Sequence, residues 1–136
     1  MTGTPGATKM TLLGAGLIAC LVGAASMLWP AQTEAGLGIT IGHEASLLNE
    51  LRASGGGLVG AGLVIAAGAF IAELAYAATL LGTLTYFGFG LARVLSMTID
   101  GIPDQRLLLV VVIELAVGSL CLAAFLKLRN AQRDFA

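Results

Sequence analysis

Between Leu107 and Leu126 the chain runs for 20 residues with one charge, Glu114. An apolar helix of about 20 residues spans the ~30 Å hydrocarbon core of a bilayer. A carboxylate at mid-bilayer costs about 2.5–3.5 kcal/mol on insertion scales, so it rarely sits there without a partner or a task. Arg93 poses the same problem in the preceding apolar run.

The rest of the chain has the same character. Of 136 residues, 57% are hydrophobic and 11% charged, and the mean hydropathy is +0.93. Soluble domains are nearer 25% charged, so a water-soluble core is the wrong expectation. The net charge of −1 with no basic run argues against a nucleic-acid partner. Cys20 and Cys121 both lie in apolar runs and are expected to act as small hydrophobes. One histidine, His43, cannot complete a zinc site. Leu17-Ile18-Ala19-Cys20 resembles a lipoprotein cleavage box, yet apolar sequence continues past it to Trp29. The segment is therefore expected to stay as a span.

Four spans are expected, at about 11–29, 53–71, 75–97 and 107–126. The first ends at an interfacial Trp29 and at Pro30, which cannot continue a helix. The last is entered through Pro103-Asp104, a favourable pair for a helix start. Residues 53–97 as one helix would be about 67 Å long, far more than the core needs. That stretch must fold back, and Glu73 is the expected turn, with no Gly, Pro or Asn at that point to fix it. The architecture is all-α: an integral membrane four-helix bundle in up-down order, with an outer loop at 30–48 and a tail at 127–136.

Orientation follows the Lys and Arg of short connections. Lys127, Arg129 and Arg133 lie in the tail and Lys9 near the start, while the 30–48 loop has only Glu34, His43 and Glu44. Both termini are expected in the cytoplasm.

Helices in lipid associate through small residues. Gly56 and Gly60, with Arg52, fall on one helical face of the second span, and Glu50 lies on an adjoining face with Gly57. On the third span Gly82, Tyr86, Gly90, Arg93, Ser96 and Asp100 recur at spacings of three and four. Glu114 shares a face with Gly118 and Cys121. Gly14, Gly16 and Gly23 give the first span small faces suited to partner helices. Glu50, Arg52, Asp100 and Arg106 cluster at the outer rim. These spacings predict a pocket opening outward, with Glu114 at its floor and Arg93 in its wall.

Two readings of those charges compete. They could neutralise one another as Glu114–Arg93 and Glu50–Arg52–Asp100 ion pairs that lock the bundle and do no chemistry. They could also bind a small anion, a lipid or quinone headgroup, or a proton. A structural or accessory subunit of a larger complex, or a homo-oligomer, is a further expectation. Enzyme signatures are mostly absent: no GxSxG, HExxH or Walker loop occurs, and Gly55-Gly56-Gly57 is followed by no Lys-Ser/Thr. A membrane enzyme using Glu114 as acid or base is the remaining alternative. No cofactor is implied.

Asn49-Glu50-Leu51-Arg52-Ala53 with Gly56-Gly57 resembles the second-helix motif of a bacterial family, domain of unknown function 4345. Arg93…Ser96…Asp100-Gly101-Ile102-Pro103 resembles its third-helix motif. The resemblance runs from about Ala45 to the end of the fourth span and implies a small four-helix inner-membrane protein. Glu50, Arg52, Arg93, Asp100 and Gly101 are the matching positions. The family often has an aromatic where Gly55 stands, which implies a roomier or differently filled site here. The resemblance imports no activity. Similarity to the DoxX-like group is only at the level of fold.

Overall fold

The computed structural model describes residues 4–133, and five helices make up most of them. They are α1 (Gly6–Leu28), α2 (Pro30–Gly36), α3 (Ala45–Ala67), α4 (Ala72–Ile99) and α5 (Gln105–Arg133). No strand occurs among the described residues. The expected tail at 127–136 is helical as far as Arg133, and 134–136 lie outside the described residues.

Three helices, α1, α4 and α5, are long and apolar enough to cross a membrane. The sequence predicts four spans, and α3 is not among these three. It has 23 residues, but Asn49, Glu50, Arg52 and Ser54 occupy its first turns.

Burial is inverted relative to a soluble protein. The core cluster consists largely of small side chains, with Ala15, Ala19, Ala75, Ala78 and Cys121 around Leu12, Ile65 and Tyr86. Large apolar side chains such as Leu17, Leu63, Leu84, Leu95 and Val112 lie on the outside. Water would expel such a surface, whereas lipid accepts it.

Packing divides the helices into two main pairs, α1 with α3 and α4 with α5. The first pair is a glycine seam. A Cβ on Gly16 would lie 2.6 Å from the Ala66 nitrogen and 2.7 Å from the Gly62 oxygen. One on Gly23 would lie 2.6 Å from the Gly55 oxygen. Residue numbers fall on α3 as they rise on α1, so the two backbones run antiparallel in direct contact. Glycines seven apart on each helix meet two turns apart. The expected Gly56/Gly60 face is not the contact: Gly56 has only the Met27 sulfur at 3.8 Å, and Gly60 has nothing within 4 Å. Gly14 is likewise uncrowded, whereas Gly16 and Gly23, expected to serve partner helices, serve α3.

The second pair is packed less tightly but by the same device. A Cβ on Gly82 would lie 2.9 Å from the Cys121 sulfur, and one on Gly90 would lie 2.9 Å from Leu115. Gly118 receives the Phe87 ring, 3.2 Å from where its Cβ would stand. Tyr76 and Phe125 stack with centroids 4.8 Å apart further along the pair.

Two connections differ from the sequence expectation. The reversal between α3 and α4 occupies residues 68–71 and does not fall at Glu73. Gly68 allows it, because a Cβ there would lie 2.3 Å from that of Ala78. Glu73 sits in the first turn of α4, where a carboxylate suits the positive end of the helix dipole. The 30–48 segment is not all loop. Pro30 is the first residue of α2, a position where its missing N–H and fixed φ favour a helix.

Candidate functional site

A cavity of about 720 Å³ lies among the helices, with lining residues from all five. Its size falls within the roughly 300–1,000 Å³ typical of pockets that enclose a small organic ligand. Ile18, Leu21, Val22, Leu58, Phe89 and Ile113 make most of its wall apolar. Gln32, Thr33 and Glu34 of α2 border one end. At the other end stands Tyr86, whose hydroxyl donates to the Ala15 carbonyl of α1 and so fixes the ring between the two helix pairs.

Arg93 and Glu114 lie together in the wall. The Arg93 Nε–H reaches both carboxylate oxygens of Glu114, at 3.2 and 3.1 Å. The Glu114 side chain is 12% exposed and that of Arg93 35% exposed. This is the only ion pair among the described residues. Gly90 explains the approach, because a Cβ there would stand 3.4 Å from that of Glu114. Among the described residues no other group accepts a hydrogen bond from the guanidinium, so its Nη1 and Nη2 donors are not taken up by them. Arg93 also borders a small hollow of about 90 Å³ beside Ser96, Met97 and Pro103.

The remaining charges expected around this pair go elsewhere. Arg52 donates from Nη1 to the Met27 carbonyl and, at 3.4 Å, to that of Leu28. It therefore satisfies the open carbonyls at the α1 C-terminus, a favourable place for a cation. Asp100 accepts from the Ser96 hydroxyl at 2.8 Å. Arg106 donates to the Gly36 carbonyl at 3.3 Å and ties the end of α2 to the start of α5. Glu50 is exposed and forms no ion pair with a described residue. Of the two ion-pair groups that one reading of the sequence allows, Arg93–Glu114 forms and Glu50–Arg52–Asp100 does not among the described residues. The two arginines end a helix and tether a loop because helix termini there offer unpaired backbone carbonyls.

Glu114 is not the floor of the cavity. Thr85 and Tyr86 lie two turns of α4 further along from Arg93, about 12 Å by helical rise for Thr85. Thr85 and Ser26 both line the cavity, and neither hydroxyl bonds to a described residue. By contrast Thr79, Thr83 and Ser119 bond back to carbonyls of their own helices. Sequence reading passed over Ser26, Thr85 and the α2 residues. The Trp29-Pro30 junction, with proline suited to open a helix, is the signal that could have found α2.

A protein-family model described as "Domain of unknown function (DUF4345)" matches residues 7–125. The chain belongs to this family. The DUF4345 match begins within α1 and so takes in parts of every helix that lines the cavity, beyond the stretch from Ala45 that the motifs alone suggested. No curated protein matches the chain, and no solved structure does. At Gly55, where the resemblance implied an aromatic in other DUF4345 members, a Cβ here would lie 2.7 Å from the Gly23 oxygen and 2.8 Å from the Met27 nitrogen. Gly55 therefore permits the close α1–α3 contact as well as lining the cavity. A ring in its place would have to part those backbones.

Proposed function

We propose that this DUF4345 protein is a four-span protein of the bacterial inner membrane that binds a small molecule or lipid in its intramembrane cavity. In this reading α3, packed along α1, is the second span of an up-down four-helix bundle. α2 lies at the outer surface, both termini are cytoplasmic, and the cavity opens outward. The basic residues Lys9, Lys127, Arg129 and Arg133 support the orientation. A reporter fused at the C-terminus is expected to report a cytoplasmic location, and a periplasmic readout would reverse the topology.

One observation carries the binding reading: a guanidinium in the wall of an apolar cavity, held by its Nε and with both Nη groups unbonded to any described residue. A pair that existed only to lock helices would have no need of a cavity beside it. Arg93 is the anchor, Glu114 sets its orientation, and the apolar wall takes the rest of the ligand. Because both Glu114 oxygens already accept from Arg93, a structural orienting role suits Glu114 better than acid or base chemistry. Native mass spectrometry of the gently solubilised protein tests the proposal. A bound small molecule or lipid is expected in the wild type and its loss in Thr85→Phe, which puts an aromatic ring into the cavity beside Phe89. A wild type carrying nothing, and unable to take up added ligands, would defeat it.

A second reading, an accessory subunit or homo-oligomer, rests on a different surface. Ala53, Gly57 and Gly60 share an exposed face of α3, and a Cβ on either glycine would meet no described atom within 4 Å. Small residues of this kind let a partner helix approach closely in lipid. Sizing in mild detergent separates the two readings: a monomer with no co-purifying protein removes the second.

A further inference from the structure

The charge and donor inventory of the cavity narrows what it can hold. Among the described residues, three charge-bearing ones line it: Arg93, Glu114 and Glu34. Arg93 and Glu114 balance each other as an ion pair and Glu34 borders the α2 end, so the lining holds no spare positive charge. An anionic headgroup would add an uncompensated negative charge in an apolar surrounding, where charge interactions are strong. The Arg93 guanidinium offers hydrogens and no lone pairs and already engages both Glu114 oxygens, so a cationic head would meet donors that it cannot use and a carboxylate that is already paired. What remains is a head without charge that accepts hydrogen bonds.

The rest of the cavity fits such a ligand. Phe89 stands one turn from both Thr85 and Arg93 on the same face of α4, and all three line the cavity. Leu21, Val22, Leu58 and Ile113 continue the apolar wall. The volume of about 720 Å³ suits a ring with a short tail, or one acyl chain, better than a whole two-chain phospholipid. The unbonded hydroxyls of Ser26 and Thr85 supply further neutral polar contacts.

From these observations we infer that the cavity takes an uncharged amphiphile with a carbonyl-bearing head, the carbonyl oxygen accepting from Arg93 Nη1 or Nη2 and the tail lying along Phe89. The inference rests on the binding reading given above and specifies its ligand class. It excludes fatty-acid anions, phosphate-headed lipids and quaternary amines as preferred occupants.

The test uses the full chain in maltoside micelles and three probes with similar tails: decylubiquinone, dodecanoate at a pH where it is ionised, and dodecyltrimethylammonium. Decylubiquinone is expected to bind saturably at one per chain, at least tenfold more tightly than either ion. Arg93→Met/Glu114→Gln, which removes both charges together, should weaken it about tenfold or more, the loss of a hydrogen bond to a charged donor. Thr85→Phe should weaken it at least as much while circular dichroism shows the helices intact. Preferential binding of dodecanoate or dodecyltrimethylammonium, abolished by Thr85→Phe, would overturn the ligand class and leave the cavity as a binding site. Decylubiquinone uptake unchanged by Thr85→Phe would be micelle partitioning and would overturn the inference. Failure of all three probes to bind would overturn it together with the binding reading.

Discussion

Gly62 on α3 faces Cys20 on α1 so closely that a Cβ on the glycine would stand 2.7 Å from the cysteine sulfur and 2.8 Å from its backbone nitrogen. The same sulfur donates to the Val59 carbonyl at 3.7 Å. There is no room at this point for anything larger than hydrogen. Gly62→Leu is expected to separate α1 from α3, because overpacking costs about 1–3 kcal/mol even where side chains can yield, and backbone yields less. Gly60→Leu, in open space, should be tolerated by the isolated chain. Thermal aggregation of the two variants in one detergent checks the contrast. Equal loss would show that the seam does not hold the pair.

Arg93 and Glu114 should be coupled in stability. Removing one partner leaves a charge with no mate, at a cost between the roughly 1 kcal/mol of an exposed pair and the roughly 3 kcal/mol of a buried one. The partial exposure of Arg93 places the expected value towards the lower end. Arg93→Met/Glu114→Gln should be more stable than Arg93→Met alone. A double-mutant cycle in denaturant measures the coupling, and simple additivity would mean that the ion pair contributes nothing.

Tyr86→Phe tests the hydroxyl that joins α4 to α1. Its loss is expected to cost about 0.5–1.5 kcal/mol, the usual net worth of one hydrogen bond, with no change in helix content. A loss well above that range would show that the ring itself had moved.

At Gly38 two constraints coincide. Its φ is +83°, a region open mainly to glycine, and a Cβ would stand 3.0 Å from the Asp104 carboxyl carbon. Asp104 also accepts from the Arg106 backbone N–H at 2.9 Å, capping α5. Gly38→Val is expected to loosen the segment after α2 from the start of α5 without unfolding the long helices. Hydrogen exchange at Arg106 and at residues 37–39 should rise, and unchanged exchange there would separate the two constraints.

Apolar length was enough to reveal α1 and α5, since little else accounts for runs such as Leu107–Leu126. The α3–α4 reversal was harder to see because it lies within continuous apolar sequence. Gly68 keeps an ordinary helical φ of −60° and is needed for its size, which leaves no turn signature. Helical periodicity groups residues into faces but does not say which face meets which. Gly56/Gly60 and Gly55/Gly62 are equally good candidates on paper. Only the equal seven-residue spacing of Gly16/Gly23 and Gly55/Gly62 hints at the pair that meets. Charge spacing at the rim allows ion pairs, but it does not show that carbonyls at helix ends are the nearer acceptors for Arg52 and Arg106. Arg93 and Glu114 were easier to relate, being the lone charges deep in two consecutive apolar runs.

The glycine seam has a mechanical consequence. With backbone resting on backbone over two turns, α1 and α3 cannot slide or tilt against each other without immediate collision. They move as one beam. The two helix pairs are joined near the α3–α4 reversal by the core of Leu12, Ile65, Ala75 and Ala78 and by the Tyr86 hydroxyl bond to Ala15, while towards α2 the Arg106 bond to the Gly36 carbonyl is a slighter tie. The cavity occupies the gap between the pairs. Its width is thus the dimension in which this molecule can most easily flex, like the jaws of a clamp around whatever stands between them.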